Sequence, residues 1–198
     1  MTIRAEGAVY LDHIRSLFVP GRPVRTHEVL RSPASDVGAL DGWSEDELRL
    51  LIDESRRALD EQHARFDRIR STAQILLPLA TALLVILGAE LNGLVDGASG
   101  AGRVAQLAIW VGATGLVGLA CLGSGSTLAV RSEFGAVMPT LVSQLKPPIL
   151  EKTARAYAEQ VSVGENTVGT RVTVIRDAVS LFMLGGLLQL VLWVVQTF

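Results

Sequence analysis

The sequence has only one cysteine and three histidines among its 198 residues, and this scarcity excludes several kinds of site. Cys121 stands alone inside an apolar stretch, which excludes a disulfide framework and a thiolate metal cluster. None of His13, His27 and His63 lies at metal-ligand spacing with cysteine or glutamate. We therefore expect neither a metal site nor a resident cofactor.

Charge is missing from three long stretches. No charged residue lies between Arg70 and Glu90, between Arg103 and Arg131, or after Asp177. Each stretch is close to the ~20 residues that a helix needs to cross ~30 Å of hydrocarbon, and a charge at the bilayer centre costs about 2.5–3.5 kcal/mol. Soluble core helices rarely run so long without a charge, so a bundle of three buried soluble helices is disfavoured. We predict an all-α integral membrane protein with three transmembrane helices at 71–94, 104–127 and 177–197.

Basic residues predict the orientation of these helices in the cell (inner) membrane. They cluster before the first helix and between the second and third, whereas Arg103 is the basic residue of the opposite side. By the positive-inside rule the N-terminus is cytoplasmic and the C-terminus lies outside. Trp110 and Trp193 then lie toward the outer ends of their helices, at the headgroup level that aromatic rings favour. The remaining segments are a cytoplasmic N-terminal arm (1–42), a cytoplasmic stalk helix (43–70), an outer turn (95–103), and a cytoplasmic linker with a second stalk helix (128–176).

Two segments carry heptad-like patterns next to transmembrane helices. Ser44 and Glu47 form a capping box, which predicts a helix start. Steps of four and three residues then run along both segments, so we expect two parallel stalk helices, within one subunit or between subunits, each continuing into the membrane. Gly164 and Gly169 each cost roughly 1 kcal/mol relative to alanine, which weakens this prediction for the second stalk. The two seams are Leu48, Ile52, Ser55, Leu59, Gln62, Phe66 and Ile69, and Leu150, Ala154, Tyr157, Val161, Gly164 and Val168.

The N-terminal arm contains a short apolar stripe at helical spacing, which ends at Pro20-Gly21. Such a helix docks on the body of the protein or rests on the membrane surface, and we favour docking. A loop-prone stretch rich in proline and glycine follows it up to Gly42. The stripe consists of Tyr10, Leu11, Ile14, Leu17 and Phe18.

Small and polar residues in the spans are candidates for helix packing or gating. Gly112, Gly115 and Gly118 recur at three-residue spacing in the second helix, and small residues let helix backbones approach closely in lipid. The glycines indicate either static packing within a subunit or a helix that re-packs on activation. Gln189, near the middle of the third helix, makes an interhelical hydrogen bond or lines an assembled channel. Glu90 is expected at the outer interface.

Arginines near the inner membrane surface have two interpretations. In the first, they set the topology and contact lipid headgroups, and each contributes about 1 kcal/mol of attraction to an anionic membrane surface. In the second, they bind an anionic ligand, since guanidinium groups bind phosphate in a bidentate manner. The ligand-binding residues are otherwise unknown, and this candidate basic collar comprises Arg65, Arg68, Arg70, Arg171 and Arg176. No catalytic set accompanies it: Ser124 lacks the strand-to-helix setting of a nucleophile elbow, so we expect no enzymatic activity.

Residues 45–198 resemble the transmembrane effectors of bacterial Pycsar systems, which act in anti-phage nucleotide signalling. The resemblance is carried by the stalk running into the first span (Phe66 to Leu77) and by the block from Glu165 through Arg171 and Arg176-Asp177-Ala178 to the Gly185-Gly186 span. It implies an effector that senses a cyclic pyrimidine nucleotide, cCMP or cUMP, made by a partner cyclase, and then damages the inner membrane.

We therefore expect a non-enzymatic, signal-gated membrane effector that forms homo-oligomers, contacts lipid and does not bind nucleic acid. The alternative is a membrane scaffold or accessory subunit that recruits a partner through its cytoplasmic helices. A small-molecule transporter is disfavoured, because the three spans contain no intramembrane charge pair or broken helix.

Overall fold

The structure, a computed structural model, describes residues 3–19, 40, 42–97, 101–129 and 148–197. These residues form four helices and no strand: α1 (Ile3–Phe18), α2 (Glu45–Gly97), α3 (Ala101–Ala129) and α4 (Ile149–Thr197). The all-α prediction is confirmed for this part of the chain. Most of the loop-prone stretch before Gly42, most of the 128–149 linker and residues 98–100 of the outer turn lie outside the described residues.

Helices α2, α3 and α4 each contain a stretch long and apolar enough to span a membrane. Their outward faces carry large apolar side chains such as Val85, Leu190 and Trp193, which are all exposed. Such side chains are unfavourable in water and suited to lipid contact. The three helices are therefore compatible with a membrane location.

The described residues divide into two compact units. We call the described residues of Arg25–Ile69 and Arg131–Val172 the stalk unit, and those of Met1–Val24, Arg70–Val130 and Thr173–Phe198 the apolar bundle. Helices α2 and α4 each contribute to both units without a break in the helix, including at Gly164 and Gly169.

In the stalk unit, α2 and α4 run parallel. Side chains of α2 form hydrogen bonds with α4 residues that lie 99 to 103 positions later in the chain, and this offset stays nearly constant from the Arg56–Tyr157 pair to the Arg65–Glu165 pair. A parallel arrangement of the two stalk helices is thus observed within one chain. Near the N-terminal ends of the two helices, Leu48 and Ile52 of α2 pack against Ala154 of α4.

The predicted capping box opens α2. The Glu47 carboxylate accepts hydrogen bonds from the Ser44 backbone N–H (2.7 Å) and hydroxyl (2.8 Å), and the Glu47 N–H donates to Ser44 Oγ at 3.4 Å. The bond from the backbone N–H of Ser44, followed by the hydroxyl bond, lowers the pKa of Glu47. Glu47 therefore remains ionised at neutral pH, and its carboxylate accepts a hydrogen bond from the Ser44 backbone N–H at the start of the helix.

In the apolar bundle, α3 is antiparallel to α2. Trp110, early in α3, contacts Leu87 late in α2, whereas Cys121 lies beside the earlier Thr81. The centre of the bundle is formed by Ala80 and Leu87 from α2 with Ala113 and Val117 from α3. Phe182 and Leu188 of α4 pack on this cluster.

Candidate functional sites

The stalk unit has a polar contact in the middle of its apolar seam. Gln62 is only 3% exposed, and its side-chain amide donates to the Val161 carbonyl at 2.9 Å and to Glu165 Oε2 at 3.2 Å. Gly164 makes room for it, since a Cβ at that position would lie 2.1 Å from Gln62 Oε1. A buried polar residue in a heptad seam favours one register of the paired helices at some cost in stability.

Glu165 links this buried contact to the protein surface. Its other carboxylate oxygen, Oε1, lies 3.5 Å from a guanidinium nitrogen of Arg65, a side chain that is about half exposed. Arg65 also lies 3.7 Å from Glu61 on its own helix. The buried Gln62 and the exposed Arg65 therefore share one carboxylate.

The five arginines of the candidate basic collar have different surroundings. In the stalk unit, Arg65 and Arg68 are exposed, whereas Arg171 is only 3% exposed and its guanidinium carbon lies 4.8 Å from the centre of the Phe66 ring. In the apolar bundle, Arg70 and Arg176 are exposed, and Arg176 pairs with Asp177 at 3.4 Å. The cation–π contact of Arg171 with Phe66 cannot be predicted from the sequence pattern, because the two residues are far apart in the chain and meet only through the pairing of α2 with α4.

The glycines of the apolar bundle fall into two groups. A Cβ on Gly112 would lie 3.5 Å from Leu188, in ordinary van der Waals contact, whereas Gly115 and Gly118 have no neighbour within 4 Å among the described residues. The closest helix contacts are instead at Gly123 and Gly185. Gly185 packs onto the backbone of α3 at Ala113 and Val117, and Gly123 packs under the ring of Tyr10.

Gln189 takes part in an interhelical hydrogen bond, one of its two predicted roles. Its side-chain amide donates to Glu90 Oε2, which joins α4 to α2 inside the apolar bundle. Glu90 of α2 and Gln189 of α4 thus lie at the same level of the apolar bundle, and the position of Glu90 at the outer interface of the membrane stays a prediction.

Replacing Gln189 with leucine is expected to destabilise the apolar bundle by about 0.6–2 kcal/mol, because Glu90 loses an interhelical hydrogen bond in a setting that disfavours an unpaired carboxylate. Unfolding of the purified protein in mixed micelles measures the change. Gln196→Leu is the matched control, since Gln196 is exposed near the end of α4. Equal stability of the two variants would contradict a structural role for the Glu90–Gln189 contact.

Helix α1 docks on one end of the apolar bundle. The Tyr10 hydroxyl donates to the Leu119 carbonyl of α3 at 2.8 Å, and Tyr10 and Ile14 pack with Leu76, Val174 and Ala178. Docking is the outcome that the sequence favours, although the buried face differs from the predicted stripe. Leu11 and Phe18 belong to that stripe but are exposed, and the buried face is completed by Val9 and His13.

Burial, and secondarily the negative charge of Asp177, raise the pKa of the Tyr10 hydroxyl. An unfolded tyrosine ionises near pH ~10, whereas the docked Tyr10 stays neutral, so its contribution to stability is complete below that pH and is lost as the pH rises above it. Tyr10→Phe is expected to lower stability by about 0.5–1.5 kcal/mol at neutral pH and to reduce the loss of stability above pH ~10. Hydrogen exchange of α1 as a function of pH measures both effects, and an unaltered alkaline profile would contradict this role of Tyr10.

The described part of the chain contains no group of His, Cys, Asp and Glu that could hold a metal ion. Two of the histidines bond within their own helices, with His13 Nδ1 3.3 Å from the Val9 carbonyl and His63 Nδ1 2.7 Å from the Leu59 carbonyl. Ser124 likewise donates to the Ala120 carbonyl four residues earlier. Comparisons of the chain with protein-family models, curated proteins and solved structures gave no match.

Proposed function

We propose that the protein is a membrane effector of an anti-phage signalling system, activated by cCMP or cUMP from a partner cyclase and acting by impairing the inner membrane. In this proposal α2, α3 and α4 cross the membrane, the stalk unit and the N-terminus are cytoplasmic, and the C-terminus lies outside. The observation that carries the proposal is that α2 and α4 each combine a stalk segment and an apolar segment in one unbroken helix. A change in the pairing of the stalks therefore acts on the same helices that enter the lipid.

The shared carboxylate of Glu165 suggests how an anion would alter the stalks. Arg65 and Gln62 both bond to Glu165, and Arg65 is accessible at the surface. An anionic nucleotide that binds the guanidinium of Arg65 competes with Glu165 for it. Because a ligand shifts a conformational equilibrium only through its different affinity for the two states, Glu165 and Gln62 are the residues whose contacts would differ between them.

Co-expression with a cyclase that produces cCMP or cUMP tests this function. We expect that, on phage challenge, the protein depolarises the membrane and the culture is protected. Arg65→Gln should abolish both effects. Arg49→Gln is the matched control, because Arg49 is an exposed arginine of α2 that pairs with Glu45 of the same helix at 2.6 Å. Unchanged membrane potential and no protection with the unaltered protein would exclude the effector function.

Accessibility of a terminal tag tests the orientation separately. A tag at the C-terminus should be reached by protease from the periplasmic side of intact cells, whereas a tag at the N-terminus should be protected. A C-terminal tag accessible only from the cytoplasm would overturn the proposed topology.

A scaffold or accessory subunit is the second candidate function, and the surface of the stalk unit favours it. Trp43 and Leu50 are 43% and 63% exposed; Trp43 lies just before α2, and Leu50 lies in its second turn. Large exposed apolar residues at the end of a helix suit contact with a partner protein. This function predicts that a partner co-purifies with the protein, that Leu50→Glu abolishes the association, and that overexpression is not toxic.

A further inference from the structure

Helix α1 has an outward face that its docking on the apolar bundle leaves uncovered. Ala8, Leu11, Arg15 and Phe18 follow one another at steps of three and four residues, which places them on one side of the helix, and all four are exposed. Leu11 is 60% and Phe18 69% exposed. The opposite side carries Val9 and His13, which are buried, and the buried Tyr10 and Ile14 lie between the two sides.

The contacts of α1 define its level along the apolar bundle. Tyr10 and Ile14 pack with Leu76, Val174 and Ala178, and Leu122 of α3 packs against the same cluster. Val174 and Ala178 lie on either side of Arg176 and Asp177, where α4 changes from charged to apolar sequence. Helix α1 therefore lies at the end of the bundle where the uncharged stretches begin.

Neighbouring residues at this level also direct large apolar side chains outward. Ile75 and Leu79 of α2 and Val179 of α4 are exposed, next in sequence to residues of the α1 docking site or one turn from them. Leu11 and Phe18 thus extend the apolar outer surface of the bundle at its inner end. Because that outer surface suits lipid, the exposed face of α1 suits the adjoining boundary between acyl chains and headgroups.

We propose that α1 lies at the surface of the inner leaflet, with Leu11 and Phe18 in the acyl region and the Arg15 guanidinium at an anionic headgroup phosphate. A basic side chain between two apolar ones on a single helix face fits such a boundary, since its aliphatic stem stays in the apolar layer while its charge reaches the headgroups. The inference rests on the proposed membrane insertion. It assigns α1 two partners, the ends of the spans on one face and lipid on the other.

Single-site spin labelling tests this assignment in the full-length protein. Because Cys121 is the sole cysteine, a Cys121→Ser background accepts one label at a time, through Leu11→Cys or Phe18→Cys. The labelled protein is reconstituted in vesicles of phosphatidylethanolamine and phosphatidylglycerol, and collisions with oxygen and with a water-soluble nickel complex are compared. Leu187→Cys, on the exposed apolar face of α4, is the lipid reference and Asp46→Cys, on the exposed first turn of α2, is the water reference.

We expect labels at Leu11 and Phe18 to give an oxygen-to-nickel collision ratio several-fold above that at Asp46 and close to that at Leu187. A ratio equal to that at Asp46 would place the face of α1 in water and overturn the inference. Few collisions with either reagent would mean that a second copy or another part of the chain covers the face, which overturns it equally. If Leu187 itself resembles Asp46, the proposed membrane insertion fails as well, so the two failures are distinguishable.

The headgroup contact has its own test. In the Phe18→Cys protein, Arg15→Gln is expected to lower the collision ratio in vesicles that contain phosphatidylglycerol and to leave it unchanged in vesicles of phosphatidylcholine alone. An equal change in both lipids would contradict recognition of an anionic headgroup. Unchanged unfolding temperatures of the labelled variants in detergent establish that α1 is still docked.

Discussion

Replacing Gly123 with alanine is expected to displace α1 from the apolar bundle. The added Cβ would lie 2.3 Å from the Tyr10 hydroxyl oxygen and 2.8 and 2.9 Å from two carbons of the ring. The ring cannot turn away easily, because its hydroxyl donates to the Leu119 carbonyl and its faces pack in a buried cluster. Overpacking of this kind costs about 1–3 kcal/mol. Faster hydrogen exchange in α1, with α3 still protected, would be the observed result.

Gly125→Ala is the matched control for this substitution, since Gly125 is also in the last turns of α3 and has no neighbour within 4 Å among the described residues. It is expected to leave α1 protected and to gain up to about 1 kcal/mol of helix propensity. Tyr10→Ala provides a second comparison. Because it already removes the contact, adding Gly123→Ala to it should cost nothing further. Normal protection of α1 in Gly123→Ala alone would contradict the close packing of Tyr10 on this glycine.

Replacing Gly185 with alanine is expected to force α4 away from α3. Its Cβ would lie 2.5 Å from a methyl carbon of Val117, 3.2 Å from the Ala113 carbonyl oxygen and 3.3 Å from the Val117 nitrogen. Two of these three atoms belong to the helix backbone and cannot rotate out of the way. We expect Gly185→Ala to lower the free energy of unfolding in mixed micelles by about 1–3 kcal/mol. Gly185→Val should lower it further.

The neighbouring residue gives the control. Gly186 has no atom within 4 Å of a Cβ position among the described residues, so Gly186→Ala should leave the stability unchanged or raise it by up to about 1 kcal/mol. The opposite signs expected for two adjacent glycines separate interhelical packing from helix propensity. A similar gain in both variants would mean that α3 and α4 do not pack closely at Gly185.

The helices could be predicted from sequence because their signals are local. The uncharged stretches indicate the apolar segments, and the heptad steps of Leu48, Ile52 and Gln62 indicate the buried side of the first stalk. The side of a helix that becomes buried follows from the three- and four-residue spacing of apolar residues along that helix alone. Membrane insertion and the effector function remain predictions.

Contacts between helices could not be predicted in the same way. Gly112, Gly115 and Gly118 have the same spacing in sequence, yet only Gly112 faces a side chain of another helix in the described structure. The glycines of the apolar bundle with the closest contacts, Gly123 and Gly185, have no local feature that sets them apart, because their partners are Tyr10 and Val117 on other helices. A sequence pattern gives the side on which a residue lies, while its partner depends on the packing of the whole bundle.

The docking of α1 also has a consequence for the order of biosynthesis. Helix α1 leaves the ribosome well before the bundle residues that hold it, since Leu119 follows Tyr10 by 109 positions and Val174 comes later still. Contacts of such long sequence separation form slowly, and N-terminal segments are exposed while the rest of the chain is synthesised. Helix α1 is therefore translated before α2, α3 and α4 but reaches its native place only after them, and its apolar residues stay uncovered until α4 has been completed.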